Sequence, residues 1–217
     1  MSNMRLFLLS TLKRFICWRL RTVPISALKC EQRKVAIAEG WGGLTIDRFP
    51  PCGFFKMFNE GFEEKAVREM EEWYYERLVE RRLCDVAKIN GGMRDGSLYR
   101  ILATLHHAKG IELKANLNNA NESLIREAIA TRVKERFELL NSICLHGYSC
   151  AWDYISTRKE GSYYILINGH HRVAALAVCG HDSVMVADSN PITLRIAAKL
   201  GRQIIGNNYN QYFYESV

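Results

Sequence analysis

"SYYILINGHHRVAALAVCG", Ser162 to Gly180, changes its structural period halfway through. Ser162–Ile167 is a compact run of β-prone residues and reads as a buried strand. Asn168-Gly169 is a turn signal. His170 to Cys179 then reads as a short helix, closed by Gly180. Ala174, Ala175 and Ala177 keep it slim enough to lie close to a sheet, and "SVMVA", Ser183–Ala187, is a second short strand. A strand that ends in Asn-Gly and feeds a helix presents backbone N–H groups at the joint. Gly169 lets a phosphate approach the main chain closely. Arg172 in the first turn supplies a planar fork for phosphate oxygens. His170 or His171 can donate to phosphate or move a proton near neutral pH. Residue chemistry alone leaves two readings open, a phosphate cradle and a polar turn that satisfies itself.

Working outward, Glu122–Gly147 reads as a helix with Val133, Phe137, Leu140 and Cys144 on one face and Gly147 as its C-terminal cap. Asn190-Pro191 opens a last helix whose apolar face is Ile192, Ile196 and Leu200. Toward the N-terminus, Asn59–Leu83 reads as a long helix with Phe62, Ala66, Met70 and Trp73 in one stripe. "GWGGLTIDRFPPCG", Gly40–Gly53, is a break. Asn90–Gly110 is a glycine-rich loop running into a helix, a second anion-site candidate with Arg94 and Arg100. Its spacing matches neither a P-loop nor a dinucleotide fingerprint, and His106 and His107 sit in the helix body. The polar stretch Asn116–Ser123 separates a helical N-terminal half from the C-terminal part of the chain. The aromatic tail Asn207–Val217 more commonly docks on its own domain than stacks bases. The expected fold is α/β (α+β): a helical N-terminal half, then a small mixed-sheet domain. Its expected pieces are residues 1–35, 36–120 and 121–217.

The 217 residues are 48% hydrophobic, enough for a sizeable core and unlike a disordered chain. The seven cysteines are scattered and form no C-x-x-C pair. That argues against a disulfide scaffold or structural zinc and for a reducing cytosol. His146, His170, His171 and His181 lack ligand spacing, so no metal site is expected. The net charge of +7 resides in residues 1–35, where eight basic side chains face only Glu31. The remainder is balanced, which disfavours a general nucleic-acid surface. The N-terminal stretch "MRLFLLSTLKRFICWRLRT" is broken by Lys13-Arg14, too early for a membrane span, and fits a signal peptide poorly. It reads as an interfacial helix on an anionic leaflet or as a helix packed on its own domain, and both stay open.

The order helix–Gly–strand–"NGHHR"–helix–Gly–strand resembles the ParB/sulfiredoxin superfamily over about Val133–Asp188. "LLNSICLHGY" matches its first box, "YYILINGHHRVAALAVCGH" its second and "DSVMV" its closing strand. The resemblance implies a nucleotide site formed by Asn168, Gly169, His170, His171 and Arg172 with Ser142 and Gly147. Sulfiredoxin-like members carry a catalytic cysteine where His170 stands, so sulfinic-acid reduction is disfavoured. Partition-type members carry a helix-turn-helix region after this domain, for which little chain remains here. The box also resembles that of a free-serine-kinase branch, matching it at Gly169, His170, His171 and Arg172 with Asn168 in place of an aspartate. That branch implies ATP or another nucleoside triphosphate, Mg²⁺ as charge partner, and a hydroxyl acceptor such as a sugar or amino-acid derivative. It also implies proton movement by His170 or His171 and a glutamate base, for which Glu127 and Glu135 stand near the right position. "GGM-x-x-GSLY" with the GHHR box is similar to bacterial proteins associated with surface polysaccharides. A cytoplasmic protein, peripheral to the inner membrane if residues 1–35 touch lipid, is the resulting expectation. A non-catalytic nucleotide-responsive module is the first alternative and a nucleic-acid-binding protein the second.

Overall fold

The structure, a computed structural model, describes residues 3–31, 40–77, 122–148, 154–188 and 192–205. The second glycine-rich anion candidate, Asn90–Gly110, lies outside them. So do the continuation of the long helix past residue 77, the Asn190-Pro191 helix start and the aromatic tail. The fold is mixed α+β. Helix α1 (Asn3–Trp18) leads into strands β1 (Leu20–Pro24) and β2 (Leu28–Lys29). Helices α2 (Pro50–Asn59), α3 (Glu63–Tyr75) and α4 (Glu122–His146) come next. The chain continues through β3 (Ile155–Glu160), β4 (Tyr163–Asn168), α5 (His170–Val178), β5 (Ser183–Asp188) and α6 (Ile192–Ile205).

The five strands form one sheet in the order β1-β5-β3-β4-β2. β1/β5 and β3/β4 are antiparallel, β3/β5 and β2/β4 parallel. Both edge strands thus come from residues 20–29, within the stretch read from sequence as a separate N-terminal piece. Of the five, sequence periodicity picks out only β4 and β5. β3 is central yet reads as polar, "ISTRKE". Its Ser156 and Thr157 are buried, and the Thr157 hydroxyl donates to the Ala187 carbonyl at 3.3 Å. A hydroxyl satisfied in this way costs little to bury, whereas the buried Ser156 Oγ has no hydrogen-bond partner in the structure.

Successive strand residues feed opposite faces of the sheet. Val23, Leu28, Ile155, Leu166, Val184 and Val186 join one cluster with α2, α3, α4 and α5. Ala187, with Tyr154, joins the other, where α1 contributes Leu9 and Ile16 and α6 contributes Leu194, Ala197 and Ala198. Here two expected stripes shift. Ile196 and Leu200 of α6 are exposed, and the buried face is Leu194, Ala197 and Ala198. Small side chains let α6 approach α1 closely, which bulky Ile196 and Leu200 would prevent. In α3 the buried stripe is Ala66, Met70 and Tyr74, while Phe62 precedes the helix and is exposed. The Gly40–Gly53 break is shorter than it reads. Pro50 and Pro51 already form the first turn of α2, where a helix needs no N–H donor.

α4 ends as expected. Gly147 takes the left-handed conformation (φ 76°) and its N–H donates to Ile143 O at 2.8 Å. The cysteines build no disulfide scaffold among the described residues, but one pair is joined: Cys144 near the end of α4 is disulfide-bonded to Cys179 just after α5, with the Cα atoms 5.3 Å apart. The hairpin β3–β4 and the return through α5 bring the two together, although 35 positions separate them in the chain. A paired cysteine removes the thiol argument for a reducing compartment. Among the described residues, no helix is long and apolar enough to cross a membrane.

Candidate anion-binding site

The site is built where β4 stops. Asn168 is the last strand residue and is exposed. Gly169 turns the chain at φ 96°, ψ 16°, a left-handed conformation that L side chains rarely adopt. A Cβ at this position would lie 2.8 Å from Ile155 Cγ1 and 3.4 Å from Arg172 Nη2. Glycine is therefore required twice, by its dihedral and by the space. The first intrahelical bond of α5 runs from Val173 N–H to Gly169 O at 3.0 Å. The amides ahead of it are those that a helix start offers to an anion.

Arg172 is only 8% exposed. Its Nη1 donates to the Tyr148 hydroxyl at 3.3 Å and its Nη2 to Asn168 Oδ1 at 3.4 Å. The two bonds hold the guanidinium across the strand end, between the turn and the segment after Gly147. Gly147 thus acts by delivering Tyr148 to Arg172. Ser142 lies partly buried in the same last stretch of α4, ten residues on from Arg132. At about 1.5 Å per residue that is roughly 15 Å along the helix.

The two histidines have different surroundings. The His170 Nε2 accepts from the Glu31 backbone N–H at 3.3 Å. An N–H can only donate, so Nε2 is the bare nitrogen and the ring proton sits on Nδ1. The ring packs against Trp41 (centroids 5.2 Å apart) and Phe49 (5.9 Å). His170 therefore ties the Glu31 and Trp41 region to the start of α5. His171 points the other way, its Nε2 3.2 Å from the Tyr74 hydroxyl of α3 and its ring 5.4 Å from Phe49. Burial holds its pKa well below the ordinary imidazole range, reinforced by the positive charges of Arg136, Arg132 and Arg172. His171 is consequently a neutral ring at physiological pH.

That electrostatic environment names residues the sequence reading did not single out. Arg132 and Arg136 stand one helical turn apart on α4, and α4 packs against α5. Arg132 is buried. With Arg172 they add positive charge that disfavours protonation of the His171 imidazole. The signal was present: Ile125, Ile129, Arg132, Arg136 and Ile143 repeat at helical spacing, so two arginines interrupt an apolar stripe. Of the two glutamates proposed as bases, Glu135 accepts from Arg132 Nη1 and so belongs to this cluster. Glu127 is exposed, more than a turn before Arg132. Tyr74 and Tyr148 carry no signal in the linear chain, because folding alone brings them to His171 and Arg172.

A scan against protein-family models, a search of curated proteins and a search of solved structures return no match to this chain.

Proposed function

We propose that this protein binds a nucleoside triphosphate through its phosphates at Gly169–Arg172 and transfers a phosphoryl group to a small hydroxyl compound. The observation that carries this reading is the buried Arg172 guanidinium, held by Asn168 and Tyr148 beside the glycine turn that opens α5. Guanidinium forks and helix-start amides are complementary to phosphate oxygens. Gly169 supplies the left-handed turn that opens α5 and leaves room there for Ile155 and Arg172. In the transfer step the acceptor oxygen bonds to the terminal phosphorus, the bond from that phosphorus to its bridging oxygen breaks, and a nucleoside diphosphate leaves. The guanidiniums offset charge on the transferred group, and positioning does most of the work. The acceptor proton passes to the Glu135 carboxylate. An acceptor from surface-polysaccharide or amino-acid chemistry fits the resemblance noted in the sequence. Among the described residues, no three His, Cys, Asp or Glu side chains gather to hold a metal. A Mg²⁺ ion would come in on the phosphates, and no step is assigned to it.

Asn168 favours one second reading, a nucleotide-responsive binding module without turnover. Its amide stands where the kinase-like pattern has a carboxylate, and its oxygen is used to hold Arg172. Calorimetric titration of the full chain with each NTP and with inorganic phosphate, with and without Mg²⁺, tests both. Phosphorus NMR of the same mixtures, with candidate acceptors added, reads transfer. Arg172→Ala is expected to weaken NTP binding about 10–100-fold, the worth of a charge-assisted fork. Arg172→Lys serves as the variant that keeps the charge. Binding without transfer selects the second reading, and no binding of any NTP or phosphate by the wild type defeats both.

A further inference from the structure

The outer face of α1 belongs to no part of the site described above. Its buried side is Leu9 and Ile16, packed with α6. Met4, Phe7, Leu8, Thr11, Phe15 and Trp18 fall at i, i+3, i+4, i+7, i+11 and i+14, which is a second stripe of the same helix. Folding leaves this stripe largely uncovered: Met4 is 73% exposed, Phe7 69% and Trp18 79%. Large apolar side chains left in water along one helix face mark an interaction surface.

The charge around the stripe identifies the partner. Arg14 is exposed and lies one turn before Trp18. The Arg19 guanidinium sits over the rings of Phe15 (5.3 Å) and Trp18 (5.5 Å), at the end of the stripe. The whole formal charge of the protein, +7, is concentrated in residues 1–35. An apolar stripe ending in tryptophan and flanked by arginines has the make-up of a helix lying in the headgroup layer. A nucleic acid would match the charge but offers nothing to bury Met4, Phe7 and Leu8. We propose that α1 docks the folded protein on an anionic lipid bilayer. The Met4–Trp18 stripe would enter the acyl boundary, and Arg14 and Arg19 would stay at the phosphate level. With α6 packed on its inner side, α1 does not need to leave the domain to do this.

Vesicle co-sedimentation of the full chain tests the proposal. Binding to phosphatidylglycerol-containing vesicles is expected to exceed binding to pure phosphatidylcholine at least tenfold and to fall as salt rises. Phe7→Glu is expected to reduce it more than tenfold, and Arg14→Gln or Arg19→Gln about fivefold each. All three positions are exposed, so an unchanged urea midpoint confirms that each variant folds. Three results would overturn the proposal. One is failure of the wild type to bind anionic vesicles. Another is binding that Phe7→Glu leaves intact, which would make the attraction one of charge alone. The last is a lipid-free dimer that Phe7→Glu disperses, with no vesicle binding, which would assign the stripe to a second copy of the chain.

Discussion

Replacing Gly169 by alanine adds one methyl group to a position that rejects it on two counts. Holding an L residue at φ 96° costs about 1–2 kcal/mol. The new Cβ would stand 2.8 Å from Ile155 Cγ1, closer than real Cβ contacts come, so Ile155 or the turn must move. Ile155 is fully buried in the central strand, which gives it little room. Such overpacking costs about 1–3 kcal/mol. Alanine recovers about 0.4–1 kcal/mol by restricting the unfolded chain. The net loss is therefore about 2–4 kcal/mol, a large share of the ~5–15 kcal/mol that holds a typical domain. Urea unfolding of Gly169→Ala measures it. The steric part is separated by repeating the substitution in Ile155→Ala, which deletes the crowded atoms. There Gly169→Ala is expected to cost only about 1 kcal/mol, the conformational remainder. A loss below about 0.5 kcal/mol in the wild-type background, or the same loss in both backgrounds, would refute the reasoning.

His171 makes stability pH-dependent in a stated direction. Its folded pKa lies well below the unfolded value of 6.5, so the unfolded chain takes up the proton first. The contribution is complete above about pH 6.5 and is lost as pH falls below it, by at most about 1.4 kcal/mol per pH unit. Urea midpoints measured from pH 8 to pH 5 are expected to fall more steeply in the wild type than in His171→Gln, and equal slopes would contradict the assignment. Opening the Cys144–Cys179 bond, which spans 35 positions, is expected to cost about 3–4 kcal/mol by loop-closure entropy. Non-reducing peptide mapping should recover the two cysteines as one linked pair, and a urea midpoint indifferent to reductant would count against the bond.

The linear chain determines the local pieces wherever one residue type does one job. The β-prone run, the Asn-Gly turn and the alanine-rich helix of Tyr163–Val178 all read correctly, because each rests on short-range preferences. The Gly147 cap of α4 reads correctly for the same reason. The sequence also determines the charge partition, since a basic N-terminal 35 residues and a neutral remainder do not depend on folding. Tertiary structure decides what these pieces meet. It places residues 20–29 at both edges of the sheet, because strand pairing is a contact between distant segments. It selects the small-residue face of α6 over the equally periodic Ile196 and Leu200, because close helix packing rewards small side chains. At the site, adjacent histidines diverge, one to the Glu31 backbone and the other to Tyr74, because neighbouring residues on a helix point about 100° apart. Arg132 and Arg136 act on His171 electrostatically only because α4 packs on α5, so this positive environment emerges from packing and is invisible in the GHHR box itself.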